Sequence, residues 1–327
     1  MISLRPSNST RLTSNVRPSA RLRTFGAFPI AAVIIGFFAA AIFSEADIFW
    51  EDTGFVFGLS VVACFWGLAH SSTASLHSLY VIGNPGIGLA RLGVIGAVLW
   101  CGYVLFNHAD PTIEGWWTVL YAAMAFAAIK VFGQFGAELF GPRLREDVFE
   151  RKNWASAQFI AAFTFSTGLI FGGAMWGDME GESLAYGSFF EFLPGYEDGW
   201  WITPWFFVMG WGILAATLWF YFRRENDDFR QRVVRERDAG DAQAASLFCI
   251  ACAITIAYAV QGDYLGFFHS LTGFSIIALP ILAHEILRPA RGHEKRSASE
   301  GWIYIAMAII GISLAPWLWR LIGLDVF

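Results

Sequence analysis

Apolar residues in this chain come in long unbroken runs. Runs of spanning length recur at 27–44, 54–76, 87–107, 116–140, 155–176, 201–222, 242–260, 265–287 and 302–320. About 20 residues at a 1.5 Å rise cross the hydrocarbon of a bilayer as a helix. Barrel strands would instead alternate apolar and polar positions over about ten residues. The pattern therefore predicts an all-α, polytopic transmembrane bundle of about nine helices.

Composition strengthens that reading. The chain of 327 residues is 56% hydrophobic, 17% aromatic and only 15% charged, with a mean hydropathy of +0.50. Soluble domains carry about a quarter charged residues. Four cysteines, Cys64, Cys101, Cys249 and Cys252, all fall in apolar runs and outline no disulfide framework. The spacing of "CIAC" (249–252) would suit a metal or redox pair. With no second pair nearby, small core residues are the simpler reading.

Charge then orients the helices. Arg5, Arg11, Arg17, Arg21 and Arg23 precede the first run, with no acid among them. Arginines collect again in the loops after the fourth, sixth and eighth runs, for example Arg223, Arg224, Arg230, Arg232, Arg235 and Arg237. The intervening loops are acidic, most of all 178–198, with Asp178, Glu180, Glu182, Glu191, Glu197 and Asp198. Basic loops stay on the cytoplasmic side. Nine spans with the N-terminus in and the C-terminus out satisfy that rule, and a bacterial inner (plasma) membrane fits. An Arg/Ser-rich tail over 1–24 would also suit an organelle transit peptide, which would place the chain in an organelle membrane. Tryptophans such as Trp116, Trp117, Trp176, Trp200 and Trp201 sit near the acidic ends, as an interfacial belt does. Nothing in the charge pattern points to nucleic acid.

The sequence also repeats. "EGWW" at 114 and "DGWW" at 198 each open a run on the acidic side. "RKNWASAQFIAAFTFSTGLIFGGAMWGD" aligns without gaps on "ERDAGDAQAASLFCIACAITIAYAVQGD", placing Ala157-Gln158 on Ala242-Gln243 and Gly177-Asp178 on Gly262-Asp263. Asn84 falls on Asn153, and Glu138 on Glu285. The unit is a helical hairpin. The organisation read from it is a cytoplasmic tail 1–24, an N-terminal hairpin 25–83, repeats 84–152, 153–237 and 238–296, and a terminal helix 297–327. The second repeat carries an outer cap, 178–198. Successive hairpins keep one orientation, unlike the inverted repeats of many transporters.

A charged stretch, an Asn or Asp, and a helix rich in small residues, as in "ERKNWASAQFIAAFTFSTGLIFGGAMWG", resembles the YjfL-like family over about 84–296. That family comprises bacterial inner-membrane proteins built from tandem two-helix repeats, of unknown function. The resemblance implies a fold but no catalytic residue. The long loop 178–198 and the first two runs depart from its usual short members. A fainter likeness links "HSSTASL" from His70 and "YVLFNHAD" from Tyr103 to haem-containing carotene isomerases and their NnrU relatives, but the Arg-His-Pro stretch of that family is missing.

Candidate chemistry is sparse. Lys130 is one of only three lysines and lies deep within the run 116–140. An intramembrane charge is costly and calls for a role. The functional reading is a substrate or ion site, with Gln134, Glu138 and Glu285 around a polar inner cavity in a transport or channel-like protein. The structural alternative is an ion pair with Glu138 or Glu285. The corresponding position in the next repeat is Leu214, so the repeat itself does not require the lysine. Histidines offer a second route. His70 and His284 lie toward the inner side, and His108 and His269 toward the outer side. Two cross-helix pairs could thus ligate haem or a chlorophyll-type pigment. On that reading the chain is a cofactor-binding or structural subunit, with further copies of itself or a larger membrane complex as partners beside the lipid bilayer. Asn84, Asn153 and Asp238 read as helix caps. No nucleophile elbow, phosphate loop or zinc spacing occurs, so no enzymatic activity is indicated.

Overall fold

The structure is a computed structural model that describes residues 58, 83–109, 113, 115–177, 202–224, 228–261, 273–287 and 298–322. The runs at 27–44 and 54–76 lie outside the described residues, Gly58 apart, as do His70 and His269. All elements among the described residues are helical. They are α1 (Pro85–Asn107), α2 (Trp116–Ala128), α3 (Trp154–Met175), α4 (Ile202–Arg224), α5 (Ala239–Ala259), α6 (Ala278–Leu287) and α7 (Ala298–Ile322). A π-helical stretch, Ile129–Phe135, and a 3-10 turn, Gly136–Phe140, prolong α2. Six helices are long and apolar enough to cross a membrane, with α2 counted to Phe140. The helix ending at Leu287 is apolar but shorter. Their outward faces carry large apolar side chains, including Leu99, Phe106, Phe220, Trp302 and Trp317. Apolar surface of that extent on several helices is compatible with contact to lipid.

α3 is the hub. Of its apolar window 89% is buried, against 33% for α1. α1 and α5 flank it with the most extensive helix contacts among the described residues. Small residues make this possible. A Cβ on Gly93 would lie 2.4 Å from the Ala161 carbonyl oxygen, and one on Gly173 would lie 2.4 Å from that of Ala257. Close backbone approach gains dispersion contact where no hydrophobic effect drives helices together. Thr164 and Thr167 satisfy their hydroxyls within α3, on the carbonyls of Ile160 and Phe163. Composition suggests that helices 3, 5 and 7 of the nine are all interior. Among the described residues that holds for α3 and α5, whereas α1 turns Leu92, Leu99 and Phe106 outward. The Phe and Trp content of the run 201–222 suggests a lipid-facing helix, but α4 is two-sided. It exposes Trp205 and Trp219 and buries Phe206, Phe207, Leu214 and Leu218.

The entries to α1, α3 and α5 share one backbone device. Gly83, Lys152 and Arg237 have φ of 97°, 53° and 59°, and the next residues, Asn84, Asn153 and Asp238, are the N-caps. Before α3 and α5 the preceding segment is a π-helical turn, Leu144–Glu150 and Gln231–Glu236 respectively. The amide of Asn153 reaches back to the Asp147 carbonyl, and that of Asp238 to Arg232, both at 2.9 Å. A left-handed residue reverses the chain after a helical turn, and glycine adopts it most easily. Lys152 and Arg237 do so without that freedom.

Side chains lock these entries to one another. Asn153 Oδ1 accepts from the Ser156 amide, while its Nδ2 donates to the carbonyls of Val233 (2.8 Å) and Val234 (3.1 Å). Asn84 Nδ2 donates to the Val148 carbonyl at 2.7 Å. Asn84 makes no side-chain cap bond, contrary to the expectation for it. Its Nδ2 reaches a carbonyl of the π-helical turn that leads into the following helix, the same grip that Asn153 takes on the next turn. Asp238 Oδ1 caps α5 through the amides of Gly240 and Asp241.

Candidate functional site

Lys130 sits in the π-helical stretch that continues α2, where hydrogen bonding is locally rearranged. Its Nζ donates to Gln134 Oε1 at 3.0 Å and lies 5.8 Å from the centre of the Phe126 ring. Both partners are one turn away on the same helix. The ammonium is therefore met by an amide and a ring face. Gln134 is buried and Lys130 half-buried. Arg91 on α1, which packs on this stretch, is a second cation whose field acts on Lys130. Gly133 lets the stretch lie against Thr164 of the central helix. π-helical turns of this kind concentrate at functional sites.

The carboxylates expected around Lys130 lie elsewhere. Glu138 is half-buried in the 3-10 turn Gly136–Phe140, beyond Gln134. Glu285 is on α6, which packs against α7 and α5. The structure thus joins Lys130 and Gln134 and does not bring Glu285 to them. The contact that Lys130 makes is with an amide, not with either acid.

Glu285 instead lines a cavity of about 580 Å³ between α4, α5 and α6, together with His284. His284 is buried, and its Nδ1 lies 2.9 Å from the Tyr304 hydroxyl of α7. Rings of Tyr221 and Phe248 stand 4.7 and 5.9 Å from its own. Nothing in the spacing of His284 along the sequence signalled this enclosure. The only hint was the aromatic content of the helices that build it.

His108 has a different setting, at the opposite end of α1. It stacks on Trp176 at 4.0 Å and 8°, and its Nε2 lies 2.9 Å from the Tyr103 hydroxyl. An isolated bridge between Ala109 and Trp176 and a bond from the Gly177 amide to the His108 carbonyl tie the ends of α1 and α3. Trp176, expected in an interfacial belt, thus also pins a histidine. The histidine pairings cannot be assembled from the described residues, because His70 and His269 lie outside them. Cys249 and Cys252 are buried on α5, and Cys249 Sγ lies 3.4 Å from Ser166 Oγ of α3. Among the described residues no group of three metal-ligating side chains occurs.

Among the described residues Arg232 and Asp241 form the closest-set charge pair, at 2.7 Å, linking the π-helical turn to the first turn of α5. Asp241 is buried. This pair joins neighbouring elements and opens onto neither the Lys130 stretch nor the His284 cavity.

Comparison with known proteins finds no matching family model, no matching curated protein and no matching solved structure.

Proposed function

We propose that this chain is a multi-pass transporter or channel of the inner (plasma) membrane that carries a small anion past the Lys130 site. The observation that carries this reading is an ammonium group deep in an apolar span, bonded to a buried glutamine on a π-helical turn. Ionisable groups inside a membrane are retained where a pathway or ligand uses them. Among the described residues the bonded partner of Lys130 is an amide and not an acid, and Arg91 adds a second positive field, which favours a negative solute.

The chain crosses the membrane nine times in this proposal, N-terminus in and C-terminus out. Segregated arginines in alternate loops support that topology. It is also assembled from hairpin repeats that begin at Asn84, Asn153 and Asp238. Support comes from the left-handed residue before each of these positions and from the amide bonds that connect the first two to the turn that follows.

The test is flux in reconstituted liposomes, with chloride and inorganic phosphate as probes. Wild-type protein should carry at least one of them, and Lys130→Leu should abolish it while leaving the melting temperature unchanged. Equal flux in the two proteins, or no flux of either anion through the wild type, rejects the reading.

A further inference from the structure

We propose that the cavity between α4, α5 and α6 is a binding site for one phospholipid with a phosphoethanolamine headgroup. This goes beyond the transport reading and involves a different part of the molecule. Several facts define the site. α4 and α6 make few contacts with each other, so a crevice opens between them, floored by Phe248 of α5. Both helices run toward the arginine-bearing end, so their residues can be compared in depth. Arg223 and Glu285 lie at that end. Phe220 and Ile281 lie about one turn deeper. The polar end of the cavity is therefore at headgroup depth, and the apolar end points into the membrane.

The chemistry matches that polarity. Most of the lining is apolar, and Phe220 and Ile281 are exposed at its lip. An acyl chain can leave the crevice there and join the surrounding lipid. Arg223 is exposed, with its guanidinium 5.0 Å from the Trp219 ring, which holds it beside the opening. A guanidinium matches phosphate with paired donors. Glu285 supplies the opposite charge on the facing helix. A headgroup carrying phosphate and a primary ammonium answers both. A choline headgroup has no N–H to donate, and a glycerol headgroup has no positive charge to offer. Stacked Tyr221 and Phe248, with ring centres 4.5 Å apart, and the Tyr304-tethered His284 make the inner wall rigid. A site of about 580 Å³ lies within the usual range of ligand pockets, about 300–1,000 Å³.

Native mass spectrometry of the full chain, released from nanodiscs of mixed phosphatidylethanolamine, phosphatidylcholine and phosphatidylglycerol, tests this. One phosphatidylethanolamine should stay bound, about tenfold in preference to the others, as expected for one charge-assisted contact. Arg223→Ala should reduce its retention about tenfold, and Glu285→Gln should level phosphatidylethanolamine with phosphatidylcholine. Ile281→Trp, at the lip, should displace the lipid by filling the space. Equal retention by wild type, Arg223→Ala and Ile281→Trp would overturn the site. So would a preference for phosphatidylglycerol, a retained quinone, or a pigment visible by absorption. Anion flux measured on the same variants separates the two readings, since lipid retention can fail while flux persists.

Discussion

At the entry to α3, Asn153 both accepts and donates, whereas at the entry to α5, Asp238 only accepts. The backbone is nearly the same at both, a π-helical turn, a left-handed residue and a cap. What differs is where the buried carboxylate sits. Before α3 it is Asp147, within the turn, bonded to the Arg143 amide at 2.7 Å and to Arg151 at 3.2 Å. Before α5 it is Asp241, within the helix, paired with Arg232 of the turn. One backbone solution is thus held by two side-chain schemes. An amide at the cap can satisfy its own helix and grip a neighbouring turn at once. A carboxylate can only do the first, so the second entry relies on an ion pair to bind turn and helix.

The comparison is broken most severely at the ion pair. Arg232→Ala removes the charge facing a buried carboxylate and should cost about 3 kcal/mol, the lower end for breaking a buried pair. A fall in the chemical-denaturation midpoint in detergent would show it, and an unchanged midpoint would mean that Arg232 contributes little. Asn153→Ala comes next. It removes a cap, about 1 kcal/mol, and a donor to two buried carbonyls, about 1–2 kcal/mol. Asn153→Ser sharpens the point by keeping a cap acceptor and losing the amide that reaches the two carbonyls, so it should cost about 1–2 kcal/mol. If the two variants melt together, the bonds to Val233 and Val234 carry the whole effect. Lys152→Gly and Arg237→Gly should have the smallest effects and the opposite sign. Each relieves a left-handed residue, worth about 1 kcal/mol. A lower melting temperature for either would show that the side chain matters more than the backbone strain.

Much of this architecture was legible. Long apolar runs gave helices at every described position where one was expected, because a backbone in lipid must close its own hydrogen bonds. The cap positions Asn153 and Asp238 followed from the residue types that accept from orphan amides. Asn84 shows the limit. Its side chain looked like a cap, but its amide is used on Val148, 64 residues away in the sequence. Lys130 shows another. Its depth was readable, while its partner was not. Gln134, four residues on along the same helix, is within reach of the ammonium, whereas Glu138 lies two turns away and Glu285 is on another helix.

Hydropathy by itself determined that the chain forms helices long and apolar enough to cross a membrane, since transfer of each run into lipid depends only on its own residues. It could not rank the helices by burial. In lipid the inward and outward faces are both apolar, so α1 and α3 look alike in sequence and differ only in their neighbours. The tertiary structure decided that α3 is the hub, that Cys249 meets Ser166, and that His284, Tyr221 and Phe248 enclose a cavity with Glu285 and Arg223 in its wall. Those are relations between helices distant along the chain. They arise from which backbones approach closely enough to pack, and no local pattern encodes that choice.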